Sequence, residues 1–178
     1  MKVITVTILT MVWIPAFAQV KPDDRSEISK LIEDYSQSVI ERDSTTFYDL
    51  FNEGIVIWGA VLAERSAAKD VVNAKPVRNN YSSGSYKGFM RALFRYSSAE
   101  DKFDNIRIVT DGSVASVMMD YSFWANSKMT NWGGKYLGLV KREGKWKISS
   151  VIYSIELASH YPQPSLLDRQ KLSDQHQR

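Results

Sequence analysis

The chain has 178 residues, with 23 Lys and Arg against 20 Asp and Glu and a formal net charge of +3. That length suits one domain of ordinary size, and a composition that is 44% hydrophobic and 12% aromatic excludes wholesale disorder. The absence of cysteine excludes disulfides, thiolate metal sites, a cysteine nucleophile and a lipoprotein anchor, and two histidines, His160 and His176, leave little for zinc or a histidine-based triad.

Met1-Lys2 is a short positive start, and Val3 to Phe17 is mostly apolar. Ala16 and Ala18 put small residues at −3 and −1, so a signal peptide over residues 1–18 and cleavage before Gln19 are expected. A membrane anchor fits less well, because the apolar stretch is shorter than the ~20 residues of a spanning helix and Pro15 and three Thr interrupt it. The mature chain is therefore expected to be exported, periplasmic or extracellular, with no membrane anchor after cleavage. Its near-neutral charge also argues against nucleic acid. Lys141 to Lys147 is the densest basic stretch, and it reads as two strand ends around a Gly turn rather than a phosphate-tracking face.

Ser26 to Glu41 reads as an amphipathic helix, with Ile28, Leu31, Ile32, Tyr35 and Val39 on one face. Asp23, Asp24 and Ser26 offer caps for it. Asp43 or Ser44 starts a short helix carrying Phe47, Leu50 and Phe51, and Ile55 to Trp58 is a β-branched strand. Residues 59–85 are hard to read. Ser66 to Ala74 suits one or two helical turns, and Asn79 to Gly84 has turn-forming chemistry. Ser85 to Tyr96 returns to helical spacing.

The period then changes to two. Phe103 to Thr110, Val114 to Ala125, Trp132 to Arg142 and Lys145 to Leu157 read as four strands joined by short turns, which form an antiparallel meander. Ala115, Val117, Met119, Tyr121 and Phe123 share one face of the second of these strands. Helices first and strands afterwards is the α+β pattern. Residues 19–158 form the domain, and residues 159–178 read as a polar C-terminal tail.

This order resembles the nuclear transport factor 2-like fold, and three segments strengthen the resemblance. "GKWKISSVIYS" (Gly144 to Ser154) is similar to the closing hairpin of SnoaL-like and lumazine-binding-like proteins. "DGSVASVMMDYSFW" (Asp111 to Trp124) and "NWGGKYLGLVKREG" (Asn131 to Gly144) resemble the two strands before it in exported bacterial members. The resemblance implies a cone-shaped curved antiparallel sheet packed on N-terminal helices, with a pocket open at one end. It also implies small apolar or aromatic ligands and face-to-face dimers.

The enzymes of that superfamily do not carry over. Matching Phe51 to Gly59 onto the segment that bears the isomerase base puts Trp58 at its position, and an indole cannot accept the proton. The strand positions at which relatives place histidines read Asn131, Ser150 and Ile152. Asp34 and Asp120 fall on solvent-facing positions, so no catalytic residue, metal ligand or cofactor is assigned. The expected ligand residues are Tyr35, Trp58, Tyr121 and Phe123, pointing into the cone, with Asn131 near its mouth. Met118, Ser122 and Trp124 lie on the opposite strand face, as a homodimer interface would. The reading is an exported, non-catalytic small-molecule-binding domain. Its alternatives are an isomerase or dehydratase and a dimeric interaction domain with a filled core.

Overall fold

The computed structural model describes residues 22–72 and 79–169. The expected cleavage residues Ala16, Ala18 and Gln19, and His176, lie outside the described residues.

Helix α1 (Pro22–Glu41) begins four residues before Ser26, with Pro22 at a position where a missing N–H is tolerated. Asp24 is thus inside the first turn and buried, where its carboxylate takes Lys141 Nζ at 2.6 Å. Helix α2 (Ser44–Asp49) starts at the second of the two expected residues, and Asp43 caps it by accepting from the Thr45 and Thr46 amides. Between them Arg42 has φ 57°, and its guanidinium donates to the Tyr96 carbonyl at 2.8 Å. Strand β1 (Ile57–Leu62) and helix α3 (Glu64–Val72) follow. Strand β2 (Tyr81–Ser83) falls where the sequence suggested only a turn, and helix α4 (Tyr86–Leu93) is capped by Ser85.

The meander is formed by β3 (Ala99–Thr110), β4 (Val114–Ala125), β5 (Lys128–Arg142) and β6 (Lys145–Leu157). Two of its turns are two-residue turns with both residues at positive φ, Asn126-Ser127 and Glu143-Gly144. Such turns match the right-handed twist of the strands they join. The first lets β5 start at Lys128, four residues before the expected Trp132.

The sheet order is β2-β1-β6-β5-β4-β3. The four meander strands pair antiparallel as expected, and a parallel pairing comes from a strand outside the meander. Strand β1 pairs with β6 in parallel, with Trp58 beside Val151, and β2 adds an outer strand to β1. A parallel pair needs a long connection, and the whole chain from α3 through β5 supplies it. The helices cover the inner face of the sheet. Ile28, Leu31, Tyr35 and Val39 of α1, Phe47 and Phe51 around α2, and Met90 and Leu93 of α4 meet Val117, Met119, Leu137, Leu139, Ile148 and Val151 in one core.

Two of the four basic residues of the stretch at the β5–β6 turn are paired within the chain. Lys141 pairs with Asp24 and Glu27, and Lys147 with Asp49. Residues 158–169 also lie on the domain rather than trailing from it. Trp132 Nε1 donates to the Tyr161 carbonyl at 2.9 Å, and Arg169 pairs with Asp104 at 3.1 Å and Asp120 at 2.8 Å.

An aromatic cone with a charged floor

Four strands converge on one interior point because of how their inward positions alternate. Lys135, Leu137 and Leu139 share the buried face of β5, and Ala99 and Asp101 that of β3. On β4, Tyr121 pairs with Phe103 of β3 and Phe123 with Asp101, while Lys135 lies beside Met119 on one side and Tyr153 on the other. The Lys135 side chain reaches across β4 and its ammonium donates to Asp101 Oδ2. Both side chains are almost completely buried, 4% and 1% exposed.

A close approach of β5 and β6 lies beside this pair. A side chain at Gly133 would meet the Ser154 carbonyl oxygen at 2.4 Å, so only glycine allows the two strands to approach there. At the same place the Gly134 amide donates to Ser154 Oγ at 3.0 Å. The Ser154 carbonyl accepts the Tyr121 hydroxyl at 2.8 Å, and Asn131 Oδ1 lies 3.0 Å from the same hydroxyl.

Aromatic rings enclose the ammonium. Lys135 Nζ is 4.5 Å from the ring centroid of Tyr121, 5.1 Å from Phe103, 5.3 Å from Tyr35 and 5.5 Å from Tyr153. Above them lies a cavity of about 180 Å³ whose walls include Trp58, Phe89, Tyr96, Phe123 and Tyr153 and whose polar groups include Asp101, Lys135, Tyr121 and Asn131. Trp58 and Phe89 are 5.3 Å apart and Phe89 and Phe123 6.1 Å, which gives the cavity an apolar end opposite its charged floor.

Of the five residues expected at a ligand, Trp58, Tyr121, Phe123 and Asn131 come together on this cavity. Tyr35 stands behind it, packed edge-on against Phe47 at 5.0 Å and Phe103 at 5.6 Å, its hydroxyl buried without a hydrogen-bond partner among the described residues. Asp101 and Lys135 were not anticipated. Asp34 pairs with Lys30 on the α1 surface, and Asp120 is held by Asn105 and Arg169 away from the cavity.

Burial governs the ionisation of the site. It pushes the Asp101 carboxyl above its ordinary value although Lys135 opposes the shift. It draws Lys135 down although Asp101 opposes that. Burial therefore disfavours the charged form of both groups, and each partner's charge offsets part of that for the other. Burial, reinforced by the Asp101 charge, also raises the Tyr35 and Tyr121 hydroxyls. Burial raises Tyr153 as well, against a hydrogen bond from Trp58. All three phenols are protonated donors at neutral pH.

On the outer face of the sheet, Met118 is exposed beside Tyr136, which is exposed beside Ile152. Ser122 is buried, and Trp124 is half-buried, its indole donating to Ser122 Oγ at 3.1 Å with Lys102 Nζ 4.6 Å from its ring centroid.

A curved six-stranded sheet closed over N-terminal helices, with a cavity between them, defines a fold class that solved structures identify. A nuclear transport factor 2-like protein of unknown function from Shewanella baltica superposes with a TM-score of 0.52 at 21% identity, covering 75% of this chain and 94% of that one. A protein of unknown function with a cystatin-like fold from Nostoc punctiforme gives 0.54 at 10% identity, covering 76% and 93%. A protein from Novosphingobium aromaticivorans, proposed to be a scytalone dehydratase, gives 0.53 at 15% identity, covering 76% and 85%. The chain therefore has the nuclear transport factor 2-like fold. No family profile matches it, and no curated protein does.

Proposed function

We propose that the protein binds one small cyclic molecule inside the cone and does not transform it. The observation that carries this reading is the cavity of about 180 Å³ with an aromatic wall and a few convergent polar groups. Its size is close to that of an engineered cavity of about 150 Å³ that takes benzene, so a single ring suits it. Trp58 supplies a flat wall, and Asn131 with Tyr121 supplies hydrogen bonds for orientation.

Native mass spectrometry of protein purified from its own host tests this, the expected result being a retained small molecule. In solution, ring-sized ligands should quench tryptophan fluorescence, and Trp58→Phe should abolish most of the quenching. An intact chain with no retained mass, and no quenching across a broad metabolite panel, would sink the reading.

A second reading has one observation in its favour. Asp101 and Lys135 form a buried acid–base pair on the cavity, the kind of group an isomerase or dehydratase uses. Conversion of a bound ligand, lost in Asp101→Asn, would replace the binding reading with this one.

We further propose that the mature chain starts at Gln19 and is exported, and that two copies pair through the outer sheet face. In that arrangement Met118 is central and Ser122 and Trp124 marginal. Mass analysis of exported material finding Met1 intact would refute the export proposal, and sedimentation as a monomer at micromolar concentration would refute the dimer.

A further inference from the structure

Asp101 Oδ1 is buried and has no hydrogen-bond partner among the described residues. Its other oxygen takes Lys135, whose ammonium has three N–H groups and donates, among the described residues, only to Asp101. Both side chains border the cavity and are the only charged groups among its lining residues. The floor thus presents one unmet acceptor beside unmet donors, with charges that cancel.

The geometry points to a neutral ligand that carries a hydroxyl or hydroxy-carbonyl function on a single ring. This inference rests on the ligand-binding reading and names the ligand's chemical class. Asp101 Oδ1 is closed to solvent, so a hydroxyl reaches it when the floor side chains shift slightly; it then donates to Asp101 Oδ1 and accepts from Lys135 Nζ at once, while its ring lies between Trp58, Phe89 and Phe123. A carboxylate would bring a second negative charge to a dry site whose one cation is already matched, and an ammonium would do the same beside Lys135. A plain hydrocarbon would fill the aromatic end and leave the floor's donors and acceptor unpaired. The pair excludes charged ligands because it is itself neutral.

The test compares four single-ring probes, phenol, benzoate, benzylammonium and toluene, by calorimetric titration at neutral pH. Phenol should bind roughly tenfold or more tightly than each of the other three. Asp101→Asn then removes the negative charge and keeps the shape, leaving Lys135 unmatched. In that variant the preference should reverse, with benzoate overtaking phenol by roughly tenfold. Benzoate binding the native protein as well as phenol does, or toluene matching phenol, would overturn the assigned class while leaving a binding pocket in place. An unchanged order in a folded Asp101→Asn protein, checked by its circular dichroism, would overturn it too. Failure of all four probes, toluene included, would count against the pocket itself and thus against the reading beneath this one.

Discussion

Two buried carboxylates on different strands of the sheet have opposite surroundings. Glu156 of β6, on the side of α3, spends both oxygens. One takes Arg65 Nε at 2.5 Å and the other takes Ser66 Oγ at 2.6 Å, and Ser66 Oγ accepts the Leu157 amide in turn. Arg65 is half-exposed, so its charge keeps contact with water. Asp101 of β3 shares one oxygen with a fully buried lysine and leaves the other unmatched beside a cavity. The first arrangement fastens α3 to the sheet and has nothing left to offer a ligand. The second has unmatched hydrogen-bonding groups next to a space that a ligand could fill. A buried ion pair therefore reads as a site when its hydrogen bonds are incomplete and a cavity adjoins them, and as a fastening when they are complete.

The sharpest way to break this contrast is to remove the buried cation. Lys135→Met should lower stability by about 3–5 kcal/mol, because it strands Asp101 in an apolar site. Replacing both partners, Lys135→Met with Asp101→Leu, should restore most of the loss, since apolar groups of similar volume escape the desolvation penalty. Urea unfolding of the two variants measures this, and a double variant no better than the single would mean the pair is needed for the fold.

The single variants should also differ in sign with pH. With Lys135 removed, the Asp101 pKa lies above its unfolded value. Its contribution is then complete below the unfolded pKa and is lost as pH rises, so the deficit should be larger near about pH 7 than near about pH 4. With Asp101→Leu, the Lys135 pKa lies below its unfolded value. Its contribution is complete above that value and is lost as pH falls, so the deficit should shrink from about pH 7 toward about pH 10. Parallel slopes in the two variants would show that other groups control them.

Glu156→Ala should have a smaller effect, about 1–3 kcal/mol, from a buried Ser66 hydroxyl left without its acceptor. Ligand binding should be unchanged, because Glu156 is not on the cavity. A shift in ligand affinity as large as that of Asp101→Asn would erase the distinction between the two carboxylates. The mildest change is Arg169→Ala, which removes the pairs with Asp104 and Asp120 and should lower the unfolding free energy by about 1 kcal/mol or less. Loss of several times that amount would mean that residues 158–169 are integral to the sheet.

The physical record in the sequence was uneven. Strand β4 was legible to the residue because its apolar positions alternate cleanly from Ala115 to Phe123, and the start of α2 was legible to within a residue because Asp43 and Ser44 precede a short apolar run. Lys135 was not legible because charged residues in strands are ordinarily solvent-facing, and Asp101 because it lies two residues before Phe103, where its strand was expected to begin. The signal existed all the same. Lys135 is in phase with Leu137 and Leu139, and Asp101 with Ala99 and Phe103, so the period of two assigned both to the core. The parallel β1–β6 pairing had no local trace, since register between distant strands is written in packing and not in turn chemistry. Tyr35 had the right helical face, but the face of a helix does not tell the front of a cavity wall from the layer behind it.

The position of β6 has a consequence for how the molecule is made. It is the last strand among the described residues, yet it sits between β1 and β5 and joins them. Until residue 157 has left the ribosome, β1 with β2 and the β3–β5 ribbon have no common partner. The cavity wall that Trp58 shares with Tyr153 cannot exist before then. Such distant pairings form late and slowly, and a nascent chain holds its apolar strands open to wrong partners while it waits. A chain ending at the β5–β6 turn would carry most of the cavity's residues and still have no interior for them to line.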